Sequence, residues 1–172
     1  GRLNADTLVH TKLYTTIEEG TGHIVDTLSY RIRVGDLVYL KAGERIPVDM
    51  VVLSTSSEGL CYMETAPLDG ETNLKQVKAV MATMSKSAEE LAQMRGTVEC
   101  ETPHHRLYSF RGNMAIQGLE EVVSLDEKNL LLMGSVLKNT EWVIGLCVYA
   151  GPETKMGLNL KTPPSKFSRL DV

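Results

Sequence analysis

Gly59-Leu60-Cys61-Tyr62-Met63-Glu64-Thr65-Ala66-Pro67-Leu68-Asp69-Gly70-Glu71-Thr72-Asn73-Leu74-Lys75 joins two kinds of sequence end to end. Residues 59–63 form an apolar run that reads as a buried strand. The strand feeds a polar loop in which two carboxylates, Asp69 and Glu71, flank Gly70. Glycine has no Cβ to clash, so it permits a tight turn or a close backbone approach at that point. Thr72 and Asn73 are small hydrogen-bonding residues, suited to tying down the base of such a loop. Two readings follow: Glu71 presented on a rigid tip to something outside the chain, or an ordinary polar turn. A bare Asp-Gly-Glu tripeptide favours the ordinary turn, so the rest of the chain has to decide.

Its 172 residues suffice for one domain with a core, and two are not expected. A net charge of -4 gives no electrostatic case for nucleic acid or for an anionic membrane surface. With two Phe and one Trp, a stacking platform for single strands is not expected either. Cys61, Cys100 and Cys147 are odd in number, far apart and set among apolar neighbours. They read as buried free thiols in a reducing compartment rather than a disulfide framework. No secretory leader is visible, and no apolar run approaches the roughly 20 residues of a membrane-spanning helix. Gly1 in place of an initiator Met, and the tail Thr162-Pro163-Pro164-Ser165-Lys166-Phe167-Ser168, suggest a piece of a longer protein.

Outward from the loop, short strands dominate. Strands are expected at residues 7–14 and 23–28, joined through Glu19-Gly20-Thr21-Gly22 as a hairpin. Residues 30–34 alternate apolar and charged at period two, the pattern of a half-buried strand, and Gly35-Asp36 turns into another at 37–40. Residues 50–53 are continuously apolar, as in a fully buried strand. Further strands are expected at 97–102, 107–110 and 114–117, with Arg111-Gly112-Asn113 as a turn between the last two. An acidic loop covers 120–127. Strands follow at 130–133, 136–137 and 142–150, the last being the most hydrophobic and ended by Gly151-Pro152-Glu153. Ser87 and Glu90 fit a capping box for a helix that Gly96 stops. A weaker helical pattern covers 73–81. This spacing predicts a mainly β fold, a distorted jelly roll or β-sandwich with one or two short helices.

Other candidate sites fall away on chemistry. His104 and His105 are adjacent, and neighbours on a strand point to opposite faces, so both cannot easily ligate one ion. His10 and His23 have no accompanying ligand pattern, and no metal is expected. The glycines lack the spacing of a phosphate cradle, and the serines at 54–57 lack a nucleophile elbow. Asp69 and Glu71 on one tight turn do not face each other across a sugar-sized cleft, as a glycosidase pair would. Asp36 and Asp49 are expected to cap backbone groups at strand ends. Lys75 is either a solvated charge or a partner for one of the loop carboxylates.

Ile32-Arg33-Val34-Gly35-Asp36-Leu37-Val38, Ile46-Pro47-Val48-Asp49 and residues 59–65 followed by 68–75 resemble, in order, the actuator domain of P4-type ATPases, the phospholipid flippases. Other P-type ATPases carry Thr-Gly-Glu-Ser in this loop, whereas Asp69-Gly70-Glu71-Thr72 extended by Asn73-Leu74-Lys75 is similar to the flippase version. Leu107-Tyr108-Ser109-Phe110-Arg111-Gly112-Asn113, residues 132–145, and Val148-Tyr149-Ala150-Gly151 with Glu153-Thr154-Lys155-Met156 agree as well. The resemblance runs from Tyr30 to Ser168 and is weak in residues 1–29 and 77–98. Pro67 departs from the Asn usual in the family, and Phe167 from a basic residue.

The resemblance implies that residues 1–160 are an actuator domain, the cytosolic loop between the second and third membrane helices of a multi-pass parent enzyme. Residues 161–172 would be a tail toward the next helix. It implies that Glu71 is catalytic, positioning water on an aspartyl-phosphate held by another domain, with Asp69, Gly70, Thr72 and Asn73 supporting the loop. ATP and magnesium would serve the parent, with no cofactor or metal held in this domain. The implied partners are the phosphorylation and nucleotide-binding domains, the membrane helices, a phospholipid substrate and a small accessory flippase subunit, with no nucleic acid. Two other readings stay open: a non-catalytic β-sandwich binding module, and the actuator of an ATPase moving cations or polyamines. Flanking apolar spans and a downstream Asp-Lys-Thr-Gly motif would exclude the binding module.

Overall fold

Residues 12–161, the part of the chain that the computed structural model describes, form three antiparallel sheets with short helices between strands. The largest sheet has six strands in the order β10-β4-β12-β3-β1-β2. These are β1 (Leu13–Ile17), β2 (Ile24–Leu28), β3 (Leu37–Lys41), β4 (Asp49–Thr55), β10 (Leu130–Leu131) and β12 (Trp142–Tyr149). The second sheet is β11-β5-β6, from β5 (Leu60–Glu64), β6 (Lys75–Lys78) and β11 (Val136–Lys138). The third is β7-β8-β9, from β7 (Gly96–Cys100), β8 (Arg111–Ile116) and β9 (Val123–Asp126).

The core lies where the continuous apolar runs meet. β4 is buried at every position and pairs with β12 on one side and β10 on the other, so it needs no polar face. Tyr39 and Trp142 stack across the β3–β12 pair with centroids 5.7 Å apart. Helix α1 (Ala66–Asp69) is a single turn after β5, α2 (Ala88–Gln93) follows β6, and α3 (Lys155–Lys161) follows β12. The expected capping box is formed at α2: the Glu90 amide donates to Ser87 Oγ at 3.1 Å, and the Ser87 amide to Glu90 Oε1 at 2.8 Å.

The mainly β architecture follows the sequence pattern, and several elements depart from it. The first strand begins at Leu13; residues 7–11 lie outside the described residues. Residues 30–34 are not a strand: Ser29–Arg31 is a 3-10 turn, and only Ile32 enters the core while Tyr30 and Val34 stay exposed. The Arg33 amide instead donates to Asp36 Oδ2 at 2.8 Å, closing the turn that starts β3. The weak helical pattern at 73–81 is overturned by β6, which pairs with β5 and places Val77 opposite Cys61. Residues 107–110 form no strand, and Arg111-Gly112-Asn113 is no turn but the start of β8. The acidic stretch at 120–127 contains β9, whose Leu125 is buried. The α-helices in the described residues number three: α2 lies where the capping box predicts a helix, while α1 and α3 carry no capping box in the sequence and are not expected from it.

Cys61 and Cys147 are buried free thiols, and burial pushes Cys61 up to about 12 and raises Cys147 as well. Cys100 is also free but only half-buried, which corrects the expectation that all three are enclosed. Asp49 does more than cap its own strand. Fully buried, it accepts the Met133 amide at Oδ1 (2.9 Å) and the Lys155 amide at Oδ2 (2.8 Å). It thereby joins the start of β4 to the turn after β10 and to the start of α3.

Candidate functional site

The loop grows directly from the end of β5. Thr65, with no exposed surface, caps α1, and the amides of Leu68 and Asp69 donate to its carbonyl at 2.8 and 3.0 Å. Pro67 sits in the first turn, where a missing N–H leaves no intrahelical bond unmade. Gly70 ends the turn with its N–H on the Ala66 carbonyl at 2.9 Å and φ of 77°, the left-handed conformation that favours glycine. A Cβ added there would meet nothing within 4 Å. The demand for glycine therefore comes from the backbone conformation, and the tip of the loop is open.

Asp69 gathers the loop's hydrogen bonds. Thr65 Oγ1 donates to its two oxygens at 3.0 and 3.2 Å, the Glu71 amide donates to Oδ1 at 2.9 Å, and the Tyr108 hydroxyl donates to Oδ2. Partial burial pushes the Asp69 carboxyl up. The bonds from Tyr108, the Glu71 amide and Thr65, with the charge on Lys75, outweigh that and hold it below its ordinary value. Burial and the bond to Asp69 push the Tyr108 phenol up to about 12, so it remains a donor at any physiological pH.

Glu71 is exposed, and Lys75 Nζ lies 2.5 Å from its Oε1. This decides the open question about Lys75, which also sits 4.9 Å from the Tyr108 ring centroid. Among the described residues, the side chains of Thr72 and Asn73 make no hydrogen bond and both are exposed. The expectation that they tie down the base is thus corrected: Thr65, Tyr108 and Lys75 do that work. Lys75 and Thr65 stand beside the motif and were within reach of sequence reasoning. Tyr108 is 39 residues away, and no local pattern announces its role.

His104 and His105 lie in the loop between β7 and β8 rather than on a strand. His104 Nε2 is 2.8 Å from Glu101 Oε1, and Lys155 Nζ approaches its Nδ1 at 3.2 Å. His105 offers its carbonyl to Asn159 Nδ2 at 2.8 Å. The pair fastens this loop to α3. His23 is exposed on the β1–β2 hairpin, and His10 lies outside the described residues. Among the described residues no group of three His, Cys, Asp or Glu side chains could hold a metal ion, and no helix is long and apolar enough to cross a membrane.

Three antiparallel sheets with an Asp-Gly-Glu-Thr loop projecting from the end of a half-buried strand, β5, define an actuator domain. Residues 11–158 match the P-type ATPase actuator domain family, and the chain belongs to it. Among its relatives, phospholipid-transporting ATPase 6 of Arabidopsis thaliana is 41% identical over 158 residues, covering 91% of this chain and 13% of the relative. Phospholipid-transporting ATPase 11C of Mus musculus is 43% identical, and phospholipid-transporting ATPase IG of Homo sapiens 44%, each over 148 residues that cover 83% of this chain and 13% of the relative. The chain thus spans about an eighth of the length of these curated relatives.

Proposed function

We propose that this chain is the actuator domain of an ATP-driven phospholipid flippase and that Glu71 catalyses hydrolysis of the parent's aspartyl-phosphate. The observation that carries this reading is an exposed carboxylate on a loop whose base is fixed and whose tip is bare. The relatives named phospholipid-transporting ATPases support the substrate class.

In this reading another domain of the parent, served by ATP and magnesium, carries the phosphorylated Asp. The actuator swings Glu71 over it. The Glu71 carboxylate accepts a hydrogen bond from water and orients it in line. The water oxygen bonds to phosphorus as the bond from phosphorus to the aspartyl oxygen breaks, and Glu71 takes the proton. Gly70 leaves room for the approach because it puts no side chain beside Glu71. In this reading the domain sits on the cytosolic side of an integral membrane protein, and its rotation couples dephosphorylation to lipid movement. An accessory subunit would contact mainly other parts of the parent.

The test is Glu71→Gln in the full-length enzyme. Phosphoenzyme should form from ATP as usual, and its breakdown should slow by about 10²–10⁴-fold. Normal decay of the phosphoenzyme in this variant would refute the assignment.

A further inference from the structure

We infer that Tyr108 is a positioning residue for the proposed dephosphorylation, holding Glu71 by its backbone and by its side chain at once. The inference rests on the reading of Glu71 given above.

Two routes hold Glu71, and both pass through Tyr108. In the first, the Tyr108 hydroxyl donates to Asp69, whose other oxygen accepts the Glu71 amide at 2.9 Å. In the second, Lys75 Nζ rests 4.9 Å from the Tyr108 ring centroid and bonds Glu71 Oε1 at 2.5 Å. One side chain, from a segment 39 residues away, therefore reaches both the Glu71 backbone, through Asp69 that Thr65 also holds, and its carboxylate, through Lys75.

Tyr108 itself is delivered on a braced segment. Its neighbour Ser109 gives its carbonyl to Lys155 Nζ at 2.8 Å. The next residue, Phe110, is buried and packs edge-on against Tyr149 with centroids 6.0 Å apart. Burial does not account for the bond to Asp69, because Tyr108 is 41% exposed and its hydroxyl could be satisfied by water. A hydrogen bond to a charged acceptor at such a place orders the acceptor more than it stabilises the fold.

The experiment measures phosphoenzyme formation and decay separately in the full-length enzyme. Tyr108→Phe keeps the ring under Lys75 and removes only the hydroxyl. It should slow decay about tenfold, the order expected for losing a hydrogen bond to a charged group, and leave formation from ATP unchanged. Tyr108→Leu removes both routes and should slow decay further. Because the hydroxyl acts through Asp69, adding Tyr108→Phe to Asp69→Asn should change decay by less than about threefold. A merely structural tyrosine would impair formation and decay alike, and its effect would multiply with that of Asp69→Asn; either result overturns the inference. Should Tyr108→Phe fail to accumulate, Asp69→Asn probes the same bond from its other end, and normal decay in that variant also overturns it. Glu71→Gln run in parallel separates the two claims. If Glu71→Gln decays normally, the reading of Glu71 falls; if it stalls while Tyr108→Phe decays normally, only the inference about Tyr108 falls.

Discussion

Replacing Gly70 by Ala isolates one physical effect, because the structure removes the others. A methyl group at this position meets nothing within 4 Å, so no clash and no cavity enters. What remains is the left-handed backbone at φ 77°, which costs an L-residue roughly 1–2 kcal/mol. Against this, Ala restricts the unfolded chain and returns about 0.4–1 kcal/mol. The net expectation is a loss of about 1 kcal/mol in the domain. With a urea slope of roughly 1–3 kcal/mol per molar, the unfolding midpoint should fall by about 0.5 M. Gly70→Asn should lose less, since Asn tolerates this conformation better than Ala. Urea titration of the 172-residue chain, followed by circular dichroism, reads all three proteins. An unchanged or raised midpoint for Gly70→Ala would refute the conformational argument, and a loss above about 3 kcal/mol would refute the open tip. The same variant in the full-length enzyme then measures what the tip approaches. Turnover reduced by much more than tenfold, a barrier rise above about 1.4 kcal/mol and so more than the loss of about 1 kcal/mol in the domain, is expected if the loop docks closely on its target. Unchanged turnover would argue against that approach.

Two further predictions concern the buried charges behind the loop. Burial raises the Asp49 carboxyl to about 7, against the two amides and the Lys155 charge that pull it down. Between about pH 4 and 7 the folded state therefore holds a proton that the unfolded state has released, so this group's stabilising contribution is complete below about pH 4 and is lost as pH rises to about 7. Relative to Asp49→Asn, the wild-type domain should lose about 1.4 kcal/mol per pH unit across that window, and parallel unfolding curves for the two proteins would refute it. Lys155 is buried, with Nζ donating to the carbonyls of Ser109 (2.8 Å) and His104 (3.2 Å). Lys155→Met keeps the volume but orphans those carbonyls and should cost about 2–4 kcal/mol by denaturant titration; a cost under about 1 kcal/mol would show the bonds to be incidental.

What could be read from the sequence follows from how each element is stabilised. β4 and β12 announce themselves because pairing on both edges and burial on both faces demand uninterrupted apolar residues. β6 does not, since Lys75-Gln76-Val77-Lys78 buries one residue and fits a helix equally well; only pairing with β5 decides. Gly112-Asn113 carries turn chemistry yet lies within β8. A Cβ at Gly112 would come within 2.9 Å of the Glu99 carbonyl, so glycine serves close packing against β7 and not a turn. Residues 30–34 alternate convincingly, but with no strand to pair with, the alternation places only Ile32 in the core. The loop was legible where it is contiguous, in Asp69, Gly70 and Glu71. Its bracing was not, because the acceptor for Tyr108 is chosen by tertiary placement and leaves no periodic trace.

The strength of each contact in this loop is graded along its length, and the grading has a mechanistic sense under the proposed function. Asp69 is held by three donors, one of them from buried Thr65, so the backbone entering Glu71 is fixed. Among the described residues the Glu71 carboxylate is held only by Lys75, and their side chains are 59% and 28% exposed. An ion pair at that exposure contributes about 0–1 kcal/mol. A group that must act on a phosphate in another domain gains most from a backbone that arrives already oriented, because orientation lost on arrival subtracts directly from the rate. Its carboxylate needs only to be steadied by Lys75, not locked to it. A weak pair steadies the carboxylate, then yields once a phosphoryl group offers Lys75 a stronger partner. Firm at Asp69 and loose at Glu71 is the arrangement such chemistry requires, and a solitary surface turn would have no reason to divide its bonds in this way.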